Sequence, residues 1–147
     1  MPTHFQGSPE QRRALDLWIK LARACEAFAF RTSKPIMDAG LTPMQFGVLE
    51  TLLHLGPLMP SQLAEKHLKS RNNVTVVIDH LERDGLVVRK RCLSDRRAQW
   101  IHLTDAGREC IEGVFPKFVD AVVQDSSILT IEEQDQLSAL LKKLGKQ

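Results

Sequence analysis

The sequence predicts a mainly α chain of the α+β class: a winged helix-turn-helix with N- and C-terminal dimerisation helices. Three observations predict it. Two short helical segments joined by a tight turn occupy residues 60–84, two strand-like segments follow at once over 86–103, and longer helical segments with apolar stripes lie on either side. The expected divisions are an N-terminal dimerisation helix at 1–38, the winged helix-turn-helix at 39–104 and C-terminal dimerisation helices at 105–147.

The first helix is expected over residues 9–33, where Leu15, Trp18, Ala22, Cys25 and Ala29 recur at three and four residues on one face. Lys34-Pro35 is expected to end it, because the residue before a proline avoids the helical region. Thr42-Pro43-Met44-Gln45 announces the next helix, with Thr42 as N-cap, Pro43 in the first turn and Gln45 closing a capping box. Phe46, Leu49, Leu52 and Leu53 give its buried face, and Gly56-Pro57 stops it. Pro60 to Leu68 reads as a short helix burying Leu63, Ala64 and Leu68. Ser70 caps another, which runs to about Asp84 with Gly85 at its C-terminal end. Val74, Val77, Ile78 and Leu81 pack inward there, leaving Arg71, Asn72, Asn73, Thr75, Val76, Asp79 and His80 outward. Leu86 to Arg91 and Gln99 to Leu103 form a hairpin around the charged tip Leu93-Ser94-Asp95-Arg96-Arg97-Ala98. Thr104-Asp105 caps a long helix to about Asp125, apolar at Val114, Phe115, Phe118, Val119 and Val122 and kinked at Pro116. Thr130 and Glu133 box a final helix striped by Leu137, Leu140, Leu141 and Leu144.

Composition removes several classes of function. At 147 residues and 43% hydrophobic, the chain can bury a core without disulfide or metal. That apolar content and a net charge of +2 exclude disorder. No apolar run approaches the ~18 residues of a membrane span, and residues 1–9 hold no apolar signal core, so a cytoplasmic location without a membrane partner is expected. Aromatic residues make up 5%, with no Tyr, which argues against stacking on single-stranded nucleic acid. Cys25, Cys92 and Cys110 are an odd number at wide spacings, neither a disulfide framework nor a zinc ribbon. No His-x-x-x-His or Cys-x-x-Cys pair occurs, so neither metal nor cofactor is expected. There is no Gly-rich phosphate loop, no paired carboxylates in an apolar setting and no nucleophile beside a base, so an enzyme is not expected either.

The charge is uneven. Residues 66–102 carry 9 basic and 4 acidic side chains, against 6 and 6 before them and 5 and 8 after. A local basic surface suits a polyanion. The helix at 70–84 has the width to enter the major groove of DNA, and Arg71, Asn72, Asn73 and Thr75 are residue types that read base edges. Arg96 and Arg97 at the hairpin tip suit a narrow minor groove, where the negative potential is enhanced. Any one of these is ordinary on a solvated face. Their convergence in one segment is what carries weight.

Leu41-Thr42-Pro43-Met44-Gln45-Phe46, Leu63-Ala64 and Ile78-Asp79-His80-Leu81-Glu82-Arg83-Asp84-Gly85-Leu86-Val87-Val88-Arg89 resemble the MarR-type transcriptional regulators. So do Asp95-Arg96-Arg97-Ala98 and His102-Leu103-Thr104-Asp105-Ala106-Gly107, and the resemblance covers roughly residues 12–145. It implies an obligate homodimer on double-stranded DNA, a repressor released by a small, often aromatic or anionic effector. Asp95 is then expected to hold the wing and Arg97 or Arg96 to enter the minor groove. Ser70, Arg71, Asn72, Asn73, Thr75, Val76, His80, Arg89 and Arg91 complete the expected DNA-binding set. Met59 departs from the pattern, standing where the family often has a Thr cap before Pro60. The apolar stripes independently need a partner, because residues 39–104 cannot cover them, and a two-fold dimer is the usual answer. Its expected face comprises Leu15, Ile19, Phe115, Phe118, Val122, Leu137, Leu140, Leu141 and Leu144.

The effector pocket implied by the family falls on Trp18, Ala22, Phe46 and His54, with Arg89 as a charge. The segment Ile111-Glu112-Gly113-Val114-Phe115-Pro116 is most similar to a branch responsive to quinones. A urate site is disfavoured by Gly47 at the acidic position, and a peroxide-type thiol site by the absence of Tyr. Cys25 and Cys110 are the remaining redox candidates. The alternatives to a ligand-released repressor are a winged-helix protein-interaction module and a thiol-based redox-sensing repressor.

Overall fold

The computed structural model describes residues 4–67, 69–95 and 97–146. The elements run α1 Pro9–Thr32, α2 Lys34–Asp38, α3 Pro43–Leu55, α4 Pro60–Lys66, α5 Arg71–Arg83, β1 Val87–Arg91, β2 Gln99–Leu103, α6 Asp105–Ser126 and α7 Ile131–Leu144. This is the mainly α winged helix arrangement that the sequence predicts. Leu68 and Arg96, expected in a core and in DNA binding respectively, lie outside the described residues.

Local hydrogen bonding sets most of the boundaries. Ser8, Thr42 and Thr130 each accept the N–H of the residue three along, and Gln11, Gln45 and Glu133 return the bond to the cap's own N–H. Met59 has no such side chain. Only half of its box forms, with the Met59 N–H donating to Gln62 Oε1 at 2.9 Å. Met59→Thr is therefore expected to stabilise the protein by about 1 kcal/mol, raising the midpoint of a thermal melt by roughly 2–4 °C. An unchanged midpoint would mean that the half-box already satisfies this end.

Lys34-Pro35 ends α1 as expected, yet Lys34 is itself helical. It opens α2, where Pro35 stands in the first turn and its missing N–H has no helical partner to lose. α6 runs unbroken through Pro116 from Asp105 to Ser126.

The chain divides into two compact units, one of residues up to Ser33 and from Ala121 onward, the other Lys34–Asp120. These boundaries differ from the expected 38/39 and 104/105 for a packing reason. Ile36 of α2 and Ile111 and Val114 of α6 belong to the core of the central unit. That core is centred on Val48 and Leu49 of α3, Leu63 of α4, Val74, Ile78 and Leu81 of α5, and Ile101 of β2, all fully buried. β1 and β2 pair antiparallel, Val87 opposite Leu103 and Arg91 opposite Gln99. A bridge between Leu58 and Ile101 adds a third edge, so the residues leading into α4 are hydrogen-bonded to the wing.

In the other unit, Arg31 forks onto Asp125 with bonds of 2.6 and 2.9 Å. The hydrogen bond to Arg31 holds the Asp125 carboxyl below its ordinary range. Gln134 closes the turn from α6 to α7, donating to the carbonyls of Ser126 and Leu129. Much of the apolar surface here is bare. Trp18 is 65% exposed, Leu140 64% and Leu144 52%. Leu17, Leu21, Ala24, Leu137, Leu140 and Leu141 line an open apolar groove between α1 and α7.

Candidate nucleic-acid interface

α5 presents its polar side outward as the periodicity requires. Ser70 Oγ accepts the Asn73 N–H at 3.3 Å, which starts the helix and leaves Arg71, Asn72 and Asn73 exposed on its first turn. Val76 and His80 continue that face one and two turns on, and Val76 is 53% exposed. Thr75 departs from expectation. It is half-buried, and its hydroxyl donates to the Arg71 carbonyl at 2.9 Å, which takes its proton and leaves its oxygen only to accept. Asp84 ends the helix and Gly85, at φ 75°, turns the chain into β1.

The hairpin tip is folded by its own backbone. Asp95 Oδ1 accepts the Arg97 N–H at 2.9 Å, the Ala98 N–H returns to the Asp95 carbonyl, and the Cys92 N–H to the Ala98 carbonyl. Asp95 therefore shapes the tip, and among the described residues no carboxylate pairs with the exposed Arg97 guanidinium. Arg91 is likewise exposed at the end of β1.

Arg89 behaves otherwise. Its guanidinium bonds Asp79 at 2.5 Å and Glu82 at 2.8 Å, and its N–H donates to the second Glu82 oxygen at 3.1 Å. Burial opposes the charge, but hydrogen bonds to Asp79 and then Glu82 outweigh it and hold the pKa above its ordinary value. A charge matched by two carboxylates is spent. In this arrangement Arg89 ties the wing to α5. Sequence reasoning missed this clasp, although Asp79 and Glu82 stand one turn apart on α5, a spacing that puts two carboxylates on one side of the helix.

Among the other expected residues, Phe46 packs against Phe118 with ring centroids 4.8 Å apart and against Phe115 at 6.5 Å, and His54 meets Phe115 edge-on at 4.7 Å. Phe115 and Phe118 thus serve the chain's own core, where they had been expected at a dimer face. Trp18 and Ala22 stand on α1, in the other compact unit. Of the thiols, Cys25 is exposed. Burial pushes the Cys110 thiol above its ordinary range. Cys92, not singled out from sequence, shares a 3.0 Å hydrogen bond with Ser94 that holds its thiol below the ordinary range. Among the described residues there is no cluster of His, Cys, Asp or Glu able to hold a metal, and no helix long and apolar enough to cross a membrane.

A profile of the MarR family matches residues 41–98, from the cap of α3 to the tip of the wing. The HTH-type transcriptional regulator YkoM of Bacillus subtilis is 38% identical over 92% of this chain and 88% of its own length. The chain belongs to the MarR family. As a MarR-family transcriptional regulator with a winged helix DNA-binding fold, it binds DNA. Sco3205, a MarR-family regulator of Streptomyces coelicolor solved in complex with DNA, superposes with a TM-score of 0.84 at 26% identity, covering 97% of this chain and 91% of that one. NadR, solved with 4-hydroxyphenylacetate, superposes at 0.74 with 26% identity and 99% of both chains covered.

Proposed function

We propose that this MarR-family protein is a homodimeric cytoplasmic repressor that grips a pseudo-palindromic operator and leaves it when a small aromatic molecule binds. The single observation that carries the reading is the exposed polar first turn of α5 beside a basic hairpin whose Arg97 has no carboxylate partner among the described residues. α5 enters the major groove, where Asn73 and its neighbours Arg71 and Asn72 read base edges and Ser70, Val76 and His80 pack alongside. Arg97 enters the flanking minor groove, with Arg91 on the phosphates. The apolar faces of α1, α7 and the end of α6 supply the dimer contact, through the half-buried Leu15, Ile19 and Val122 and the bare α7 leucines. A DNA-bound neighbour supports the first part, and a neighbour holding a phenolic acid supports the aromatic effector. The aromatic wall of Phe46, His54, Phe115 and Phe118 is the part of the central unit with matching chemistry.

Two substitutions test the assignment, read by fluorescence anisotropy on an operator selected from random duplexes. Arg97→Ala weakens binding by about 2 kcal/mol or more, while the dimer and its melting midpoint stay unchanged. Retained affinity would remove the wing from the interface. Asn73→Ala costs about 1–3 kcal/mol and relaxes preference at one operator position. A loss equal on every sequence would instead make Asn73 a phosphate contact.

A further inference from the structure

The turn between α4 and α5 carries a histidine that the DNA-reading face leaves unexplained. The His67 N–H donates to the Leu63 carbonyl at 3.1 Å and ends α4. Its ring reaches back to α3. A Cβ placed on Gly47 would stand 2.9 Å from His67 Cε1 and 3.3 Å from Nδ1, so the ring would have to shift to admit it. Nε2 lies 3.1 Å from the hydroxyl of Thr51, one of the few buried polar side chains, at 8% exposure. Gly47 and Thr51 are successive turns of α3, so the ring covers one whole turn of that helix. Three residues beyond His67, Ser70 caps α5. The Lys69 N–H returns to the Ala64 carbonyl at 3.1 Å.

We propose that His67 is a positioning residue for DNA reading. It latches the α4–α5 turn onto α3 at Gly47 and Thr51, and so sets the angle at which the first turn of α5 meets the groove. Gly47 is the residue the latch requires, because any side chain there displaces the ring. The proposal rests on α5 being the reading helix.

The test uses the full chain, its selected operator and a random duplex of equal length. Gly47→Ala and His67→Ala each lower operator affinity about tenfold, the scale of one lost base contact, and leave random-duplex affinity unchanged. The double variant binds no more weakly than His67→Ala alone, because the added methyl then meets no ring. His67→Gln, whose amide still reaches Thr51, keeps more affinity than His67→Ala. Additive losses, unchanged operator affinity or an equal loss on the random duplex would overturn the latch. If Gly47→Ala fails to fold, the Ala and Gln variants at position 67, compared at matched circular dichroism, decide. Asn73→Ala in parallel separates the two ideas: its failure to weaken operator binding refutes α5 as reader, whereas its effect without any from position 67 refutes the latch alone.

Discussion

Cutting the chain after Ser127 yields a monomer that no longer holds its operator. The cut removes α7, whose Leu137, Leu140, Leu141 and Leu144 are 45%, 64%, 42% and 52% exposed in the isolated chain. A regular helix with a boxed N-terminus and its leucines bare has its hydrophobic stripe aimed at something outside the chain. Full burial of a leucine contributes about 1.5–3 kcal/mol. Leu140→Glu with Leu144→Glu removes four half-bare leucines per dimer, roughly 3–6 kcal/mol, or 10²–10⁴ in the dimer constant. These two substitutions leave the chain complete and cost the monomer little, so they distinguish lost association from lost folding. Sedimentation equilibrium reads both variants. A dimer that survives the paired glutamates, or the cut, contradicts the assignment of α7 to the interface. Operator affinity falls with the dimer, because one winged unit then holds only one half-site.

Gly107→Ala costs this chain stability through a clash with backbone. A Cβ at Gly107 would stand 1.9 Å from the Leu86 carbonyl oxygen and 2.8 Å from its carbon, both backbone atoms of the segment leading into β1. Neither can swing away as a side chain end can. The same corner is pinned by Thr104, whose hydroxyl donates to the Gly85 carbonyl at 2.6 Å and accepts the Gly107 N–H at 3.0 Å. The start of α6, the end of β2 and the start of β1 are therefore locked at contact distance. Overpacking here costs about 3 kcal/mol, a fall of roughly 6–12 °C in the melting midpoint. A midpoint within about 2 °C of the parent would show that the corner yields, and that the packing account of this glycine is mistaken.

The residues that made the fold legible act over three or four positions. Thr42 with Gln45 and Thr130 with Glu133 announce helix starts because the donor and acceptor are local, and Val74, Ile78 and Leu81 mark a buried face by period alone. The basic wing was legible because charge clusters in sequence. What was missed depends on residues brought together by the fold. Arg89 read as one more cation until Asp79 and Glu82, 10 and 7 residues away, were found to hold it. Thr75 read as a polar contact until its hydroxyl turned out to serve the carbonyl one turn back. Gly47 read only as a missing acid and Gly107 as one residue of a family motif, and only the neighbouring His67 ring and Leu86 carbonyl show why a side chain is excluded. The Leu58–Ile101 bridge carries no sequence signal, since a single pair of backbone bonds needs no particular side chain.

The central claim is that two copies of this chain read DNA sequence together, and selection of the purified protein against a random double-stranded library tests it most directly. The account predicts an enriched inverted repeat with half-sites about one helical turn apart, roughly 10–10.5 bp between centres. Salt-sensitive binding with no enriched site, or no binding at all, would contradict it.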